Sequence, residues 1–336
     1  MKPTFSVILI FICFVLHAQN LVPFRANNEK WGFKNKAGKI VLPAIYDDAA
    51  EFSDGVAAVA IRKKVSIRDY KEPVWGFIDA TGKLVLPYKY RTAHYLTKMY
   101  FTGGLAIVTE VKETENSTSF TYGFINKKGV YVVPCKYQYV LNFENVLARV
   151  NLGGFNDGHG GIDGGLWGLI NKEGKEVVEP KYAELYEFKQ GLARIKSYGK
   201  YGFINNVGIE IIKPIYTSAD DFFEGMAKVG LGTNEIPKYG FIDKTGKAIV
   251  PIEFDAAEPF SEGLAAINKG GKYESYSRYS QAMKLIGGKW GYVDKTGKIV
   301  VPCKYQKAGK FKQGKAEVEL NDQIFKIDKN GNGIDE

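Results

Sequence analysis

The sequence predicts an all-β fold built from seven tandem four-stranded antiparallel meanders, and three observations lead there. Seven segments open on an aromatic residue followed directly by glycine, at Trp31, Trp75, Tyr122, Trp167, Tyr201, Tyr239 and Trp290. A second aromatic follows each opening ring fifteen residues later, as Tyr46, Tyr90, Tyr137, Tyr182, Tyr216, Phe254 and Tyr305. The stretches between are short, rich in β-branched and aromatic residues, and punctuated by glycine and proline, which is the chemistry of strands and hairpins. A fixed period of a few tens of residues marks a repeat architecture whose units bury their apolar faces on one another.

Taken in order, the chain opens with a secretory leader. Lys2 is followed by an apolar run from Phe5 to Leu16, and Ala18 offers a small residue for cleavage, the pattern of an exported protein. The run is shorter than the roughly 20 residues a membrane-spanning helix needs. The expected organisation is a signal peptide over 1–18 and a single repeat domain over 19–336 that is periplasmic, cell-surface or secreted. Cleavage lowers the formal charge from +9 to +8 and leaves only Cys135 and Cys303. The basic excess is spread through the repeats, whereas a nucleic-acid binder concentrates it on one face. Two thiols in equivalent phrases four copies apart are not a disulfide framework.

Within each copy the first two strands are joined by a turn with Asn or Asp at its first position and Gly at its fourth. Examples are Asn35 to Gly38, Asp79 to Gly82, Asn171 to Gly174, Asp243 to Gly246 and Asp294 to Gly297. That is the signature of a type I turn followed by a hairpin bulge. Pro43, Pro87, Pro134, Pro251 and Pro302 are expected to end the second strand, where a missing amide is tolerated. Tyr46 to Phe52 reads as a weak third strand, turned by Ser53-Asp54-Gly55 into a fourth, Val56 to Val59. Trp290-Gly291-Tyr292-Val293 and Ile299-Val300-Val301 have no polar side, so both faces of each meander must be covered. The fixed spacing of the opening rings within such strands favours core packing over stacking on a ligand.

Nearly all length variation falls between the fourth strand and the next opening ring, where the gap counted from the turn before that strand runs from 10 to 27 residues. Insertions at one equivalent hairpin project from one face of an array. The chain closes on Ile324 to Gly331, a partial eighth copy over 324–334. Starting and stopping in mid-unit is how a propeller completes its last blade from both ends, and is equally how an open β-solenoid of stacked hairpins is capped. The seven-bladed ring is the favoured arrangement of the two.

The phrase Trp290-Gly291-Tyr292-Val293-Asp294-Lys295-Thr296-Gly297-Lys298, together with Gly263-Leu264-Ala265-Ala266-Ile267 downstream of the copy that opens at Tyr239, resembles the WG-repeat family of bacterial exported proteins, also called KWG repeats. The resemblance covers about Glu29 to Asp335. It departs from the family pattern where Tyr122, Tyr201 and Tyr239 replace Trp, and where Glu179 and Lys213 replace Pro. It implies an interaction module and carries no common reaction, cofactor or catalytic residue.

Catalytic chemistry finds little support. His94 and His159 are the only histidines after cleavage, with no nucleophile elbow or phosphate-binding glycine motif. Asp54, Glu224 and Glu262 precede turn glycines and read as hairpin residues. Asp157, His159 and Asp163 stand among the seven glycines of Gly153 to Gly165 and form a weak candidate metal loop. A flexible glycine-rich linker is the favoured account of that stretch. Asp328, Asn330 and Asn332 imitate half a calcium loop but align with the ordinary hairpin turns.

The candidate contact residues lie on two inserts. Tyr273, Tyr276, Tyr279 and Arg278 sit within Gly271 to Gly287, and exposed tyrosines are good contacts for proteins and sugars. Arg62, Lys63 and Lys64 make another insert basic, while Glu110, Glu113 and Glu115 make the next acidic. The expected function is a non-catalytic module binding a protein or glycan at the cell surface. A polysaccharide hydrolase or lyase and a passive spacer are the alternatives.

Overall fold

The computed structural model describes residues 21–64, 71–92, 99–114, 118–156, 161–233, 236–275 and 283–334. The predicted leader lies outside them. Every regular element among the described residues is a β-strand, and the strands form eight antiparallel sheets, seven of four strands and the first of three. The chain divides into two compact units, Met1–Lys181 and Tyr182–Glu336.

One sheet serves for all. Its strands, in spatial order, are a short edge strand Asp48–Ala49, a small-residue strand Val56–Lys64, an opening strand Lys71–Asp79 and a second edge strand Leu84–Tyr90. Each sheet therefore joins the second half of one sequence repeat to the first half of the next. The four-stranded meander is as expected, and its boundary falls half a period away, just after the second aromatic. The ends follow suit. Trp31–Asn35 pairs with Leu21–Arg25 and Ile40–Tyr46, and Gln323–Ile327 pairs with Ala316–Leu320 and Gly333–Ile334.

Two sequence expectations change. The weak third strand, expected over Tyr46 to Phe52, shrinks to two residues. After Ala50 donates to the Ala58 carbonyl the chain leaves the ladder, and Phe52 turns its ring edge-on to Phe33 at 5.0 Å. The prolines do not end the second strand but sit inside it, since Ile40–Tyr46 runs through Pro43. Trp31 pairs with Tyr46 and Phe33 with Leu42, so three residues bulge opposite the single Gly32. A proline costs nothing where the ladder is already interrupted. The glycine is what admits the bulge: a Cβ on Gly32 would lie 2.7 Å from the Leu42 carbonyl oxygen. The backbone that approaches it belongs to its own hairpin.

The hairpin turns form as predicted. At Asp243 the side chain accepts from the amides of Thr245 and Lys247 at 2.9 and 3.0 Å, and Gly246 N donates to the Asp243 carbonyl. Asp328 does the same for Asn330 and Asn332 at 2.9 Å, so the imitation calcium loop is a hairpin turn.

Within each unit, apolar clusters fill the gaps between consecutive sheets. One holds Phe33, Leu42, Tyr46, Ala57, Val59 and Ile78, and another holds Phe241, Val250, Phe254, Phe260, Ile267 and Val293. Both faces of the strands are covered, as their composition requires. The deepest ring, however, is not the opening aromatic. Trp75 and Tyr122 are buried, while Trp31, Trp167, Tyr201, Tyr239 and Trp290 are half-buried. The residue two places on is buried in every copy, as Phe33, Phe77, Phe124, Leu169, Phe203, Phe241 and Tyr292. Six of these seven pack edge-on against a phenylalanine ahead of the next turn, with centroids 4.7–5.0 Å apart. Core packing of the repeated rings thus holds, with the load centred one pleat further along the strand. Cys135 and Cys303 are free thiols; burial pushes Cys135 up to about 12.

Candidate partner-binding arms

The hairpins joining small-residue strand to opening strand differ in length. Leu192–Ser197 with Lys200–Asn205, and Met226–Leu231 with Lys238–Asp243, are short. Four others continue past the sheet as arms. They are Val56–Lys64 with Lys71–Asp79, Leu105–Glu113 with Thr118–Asn126, Leu147–Asn156 with Ile162–Asn171, and Leu264–Ser275 with Met283–Asp294. All of them extend at one equivalent place in the repeat.

Two of the arms share a device at their base. Asn151 and Asn268 are fully buried, each in register with the opening Trp of its sheet. Asn151 Oδ1 accepts from Gly154 N at 3.1 Å, and its amide donates to the Gly164 carbonyl at 3.2 Å. Asn268 donates to the Gly287 carbonyl at 3.4 Å. A Cβ on Gly154 or Gly271 would come within 2.5 or 2.6 Å of the asparagine oxygen. Gly153, Gly164 and Gly165 in one arm and Gly270, Gly287 and Gly288 in the other take positive φ of 67–88°, which L-residues avoid. The glycines thus let two strands kink over a buried amide and continue outward. The expected flexible linker is therefore corrected: Gly154 pairs with Gly164, Phe155 with Asp163 and Asn156 with Ile162.

The predicted contact residues divide as follows. Arg62 and Lys63 are exposed on the first arm, opposite Pro73 and Glu72, with Lys63 Nζ 5.8 Å from the centre of the Tyr88 ring. Lys64 pairs with Lys71 at the last described rung. Tyr273 is half-buried and in hydrogen-bond contact with Tyr239 of the preceding sheet; burial and that contact hold its phenol above its ordinary range. Tyr276, Arg278 and Tyr279 lie outside the described residues, as do Asp157 and His159. Asp163 is exposed. Among the described residues no group of His, Cys, Asp and Glu is placed to hold a metal ion. The basic and acidic inserts are tied together: Arg91 bonds Glu72 of one arm and Glu113 of the next at 2.5 and 2.7 Å.

The turn carboxylates have a structural task. Glu224 accepts from the amides of Glu262 and Gly263 at 2.7 and 3.0 Å and pairs with Lys295 at 2.8 Å. Glu262 repeats the pattern on Gln313 and Gly314, at 2.6 and 2.8 Å. Gln190 and Asp54 each accept from the turn glycine one sheet on, Gly225 at 2.8 Å and Gly104 at 2.6 Å. Four turns are thereby laced to the next one along.

Sequence reasoning passed over Phe120, Gln138, Tyr139 and Phe155, which with Tyr122 line a cleft beside the third arm. A signal was present: Asn-x-Gly-Gly and Gly-Gly-x-Trp frame both Asn151 to Trp167 and Asn268 to Trp290.

Fold and arms define an all-β repeat protein with hairpins projecting from one equivalent position. The model of the WG containing repeat matches residues 31–64, 75–110, 122–154, 167–201, 201–232, 239–273 and 290–323. The chain belongs to that family. No curated protein matches it. Among solved structures it is similar to an acylaminoacyl peptidase of Pyrococcus horikoshii, at 11% identity over 91% of this chain and 54% of the other, with a TM-score of 0.31. Dipeptidyl peptidase 4 of Porphyromonas gingivalis gives 10%, 97%, 58% and 0.30, and a puromycin hydrolase 10%, 85%, 52% and 0.28. The chain spans about half the length of these proteins. Scores this low lend it neither their architecture nor their activity.

Proposed function

We propose that the chain is an exported, non-catalytic interaction module that binds a protein or glycan partner through its hairpin arms. One observation carries this reading: four hairpins at the same place in the repeat are lengthened into ordered ladders of up to 12 residues a strand. A tolerated insertion need not be ordered, whereas a contact surface benefits from rigidity, because less conformational entropy is lost on binding. The arms also present apolar and cationic groups outward, including Phe155, 64% exposed, and Arg62 and Lys63. The turn carboxylates that a hydrolase would call on are engaged with backbone amides.

The test removes one arm and keeps the sheet. Replacing 271–287 by a two-residue turn is expected to leave the melting temperature within a few degrees. It should abolish retention of a partner from surface extracts or on a glycan array. Retention equal to that of the intact chain would exclude this arm as the contact.

A further inference from the structure

The third arm and the sheet before it border a cleft of about 220 Å³ whose lining includes Phe120, Tyr122, Gln138, Tyr139, Phe155 and Ile162. The molecule contains a second version of the same place. Counted from the opening rings, Tyr122 corresponds to Tyr239, Gln138 to Asp255, Gly154 to Gly271 and Ile162 to Leu285. The correspondence is physical as well as numerical. Gly153 N donates to Gln138 Oε1 at 2.6 Å, and Gly270 N donates to Asp255 Oδ2 at 2.6 Å.

In the later version the place is filled. Tyr273 stands opposite Leu285 on the arm and folds back to Tyr239, near Asp255. In the earlier version the residue at that rung, opposite Ile162, is Asn156, and the cleft stands beside it. One arm therefore seats its own phenol ring; the other keeps the tyrosine, glycine and aliphatic positions as Tyr122, Gly154 and Ile162, carries Phe120, Tyr139 and Phe155 where the later one has Pro237, Ala256 and Lys272, and has no tyrosine at the rung of Tyr273.

We propose that this cleft is a receptor site for one tyrosyl ring of a partner polypeptide, bound as the later arm binds its own Tyr273. Phe120, Tyr139, Phe155 and Ile162 supply the apolar walls. Gln138 and Tyr122, the counterparts of Asp255 and Tyr239, supply polar groups at the end where the hydroxyl arrives. The room suffices, since an apolar cavity of about 150 Å³ takes up benzene. This assignment rests on the partner-binding reading and adds to the 271–287 arm a second contact, on the third arm, with one side-chain chemistry.

Fluorine NMR on the full chain tests it, with N-acetyl-3-fluorotyrosine amide as the probe. N-acetylphenylalanine amide and methyl β-glucoside serve as competitors. One saturable bound resonance is expected, with a dissociation constant of roughly millimolar size for so small a ligand. The phenylalanine amide should compete at least fivefold less well than unlabelled tyrosine amide, and the glucoside not at all. Asn156→Tyr recreates the later arrangement and should weaken binding at least tenfold with the fold intact by circular dichroism. Tyr273→Ala opens the twin place and should add a second bound resonance. Absence of a bound resonance, binding undiminished in Asn156→Tyr, or equal competition by the glucoside would overturn the assignment. If the partner is still retained by the intact chain under those outcomes, the interaction-module reading stands and only this site falls.

Discussion

Tyr239 and Phe241 lie two residues apart on one strand and do different work. Phe241 is 1% exposed and meets the edge of Phe260 at 4.7 Å, whereas Tyr239 is half-buried with Lys228 Nζ 5.7 Å from its ring centre. Removing a fully buried phenylalanine costs about 3–5 kcal/mol, transfer and cavity together. A half-buried ring loses less area, so Tyr239→Ala should cost about 1–3 kcal/mol. Urea unfolding of the two variants checks the order, and an equal or reversed loss would return the core to the opening ring. Sequence showed that both rings face inward, because period-2 patterning reads the face of a strand. It does not read depth along the strand, and residues 239 and 241 share a face. The pairing phenylalanines were equally plain as letters in all seven copies, from Phe52 to Phe311. Their role appears only when the short edge strand brings them across to the next hairpin.

The lacing of turn to turn is legible at its ends and hidden in its connection. Asp54, Glu224 and Glu262 stand before glycines, as turn residues do, but the amides they serve lie about one repeat away, 38 residues on in the case of Glu224 and Glu262. No local pattern announces such a bond. Partial burial raises the Glu224 carboxyl, and Lys295 with the amides of Gly263 and Glu262 more than offsets that, leaving it below the ordinary range. The Glu262 carboxyl is lowered by the amide of Gly314 first, with Gln313 and Lys329 adding to it. A carboxyl depressed by folding contributes stability that is complete above its unfolded value, about 4.3, and is lost as pH falls through the folded value. Glu224→Gln keeps an acceptor for one amide, as Gln190 does natively for Gly225, and loses the pairing with Lys295. Its melting temperature should fall below that of the parent at pH 7, and the difference should close by about pH 3. A difference that stays constant across that range would mean the carboxylate charge contributes nothing. The order of the Gly153 to Gly165 arm is hidden for a related reason. Seven glycines in a row of polar residues look like a linker, and only the buried amides of Asn151 and Asn268 reveal that the glycines serve a kinked ladder.

For the whole molecule the sequence period and the structural unit are the same length and half a period out of step. Any starting point describes a repeat equally well as text, so the phase had to come from the strand pairing. It can be tested by excision, because a repeat array is held together by nearest-neighbour interfaces. Deleting 255–305 removes one sheet and joins Phe254 to Gln306 between intact sheets. The face formed by Phe241, Val250 and Phe254 then loses Ala257, Phe260, Ala265, Ile267 and Val293. In their places it meets Ala308, Phe311, Ala316, Val318 and Ile327, the same kinds of residue one unit on. Deleting 239–289 removes a unit cut at the opening rings and pairs Met226–Leu231 with the strand that begins at Trp290. Lys228, natively opposite Phe241, then takes the place of Ala266 opposite Tyr292. Ala266 belongs to a buried cluster, and an ammonium forced into such a site is costly. The first deletion should therefore unfold cooperatively at a denaturant concentration close to that of the full chain. The second should unfold well below it or fail to fold, and Lys228→Ala should rescue it. Equal midpoints without that substitution would mean that the sheet boundaries after Phe254 and Tyr305 are not the joints of the molecule.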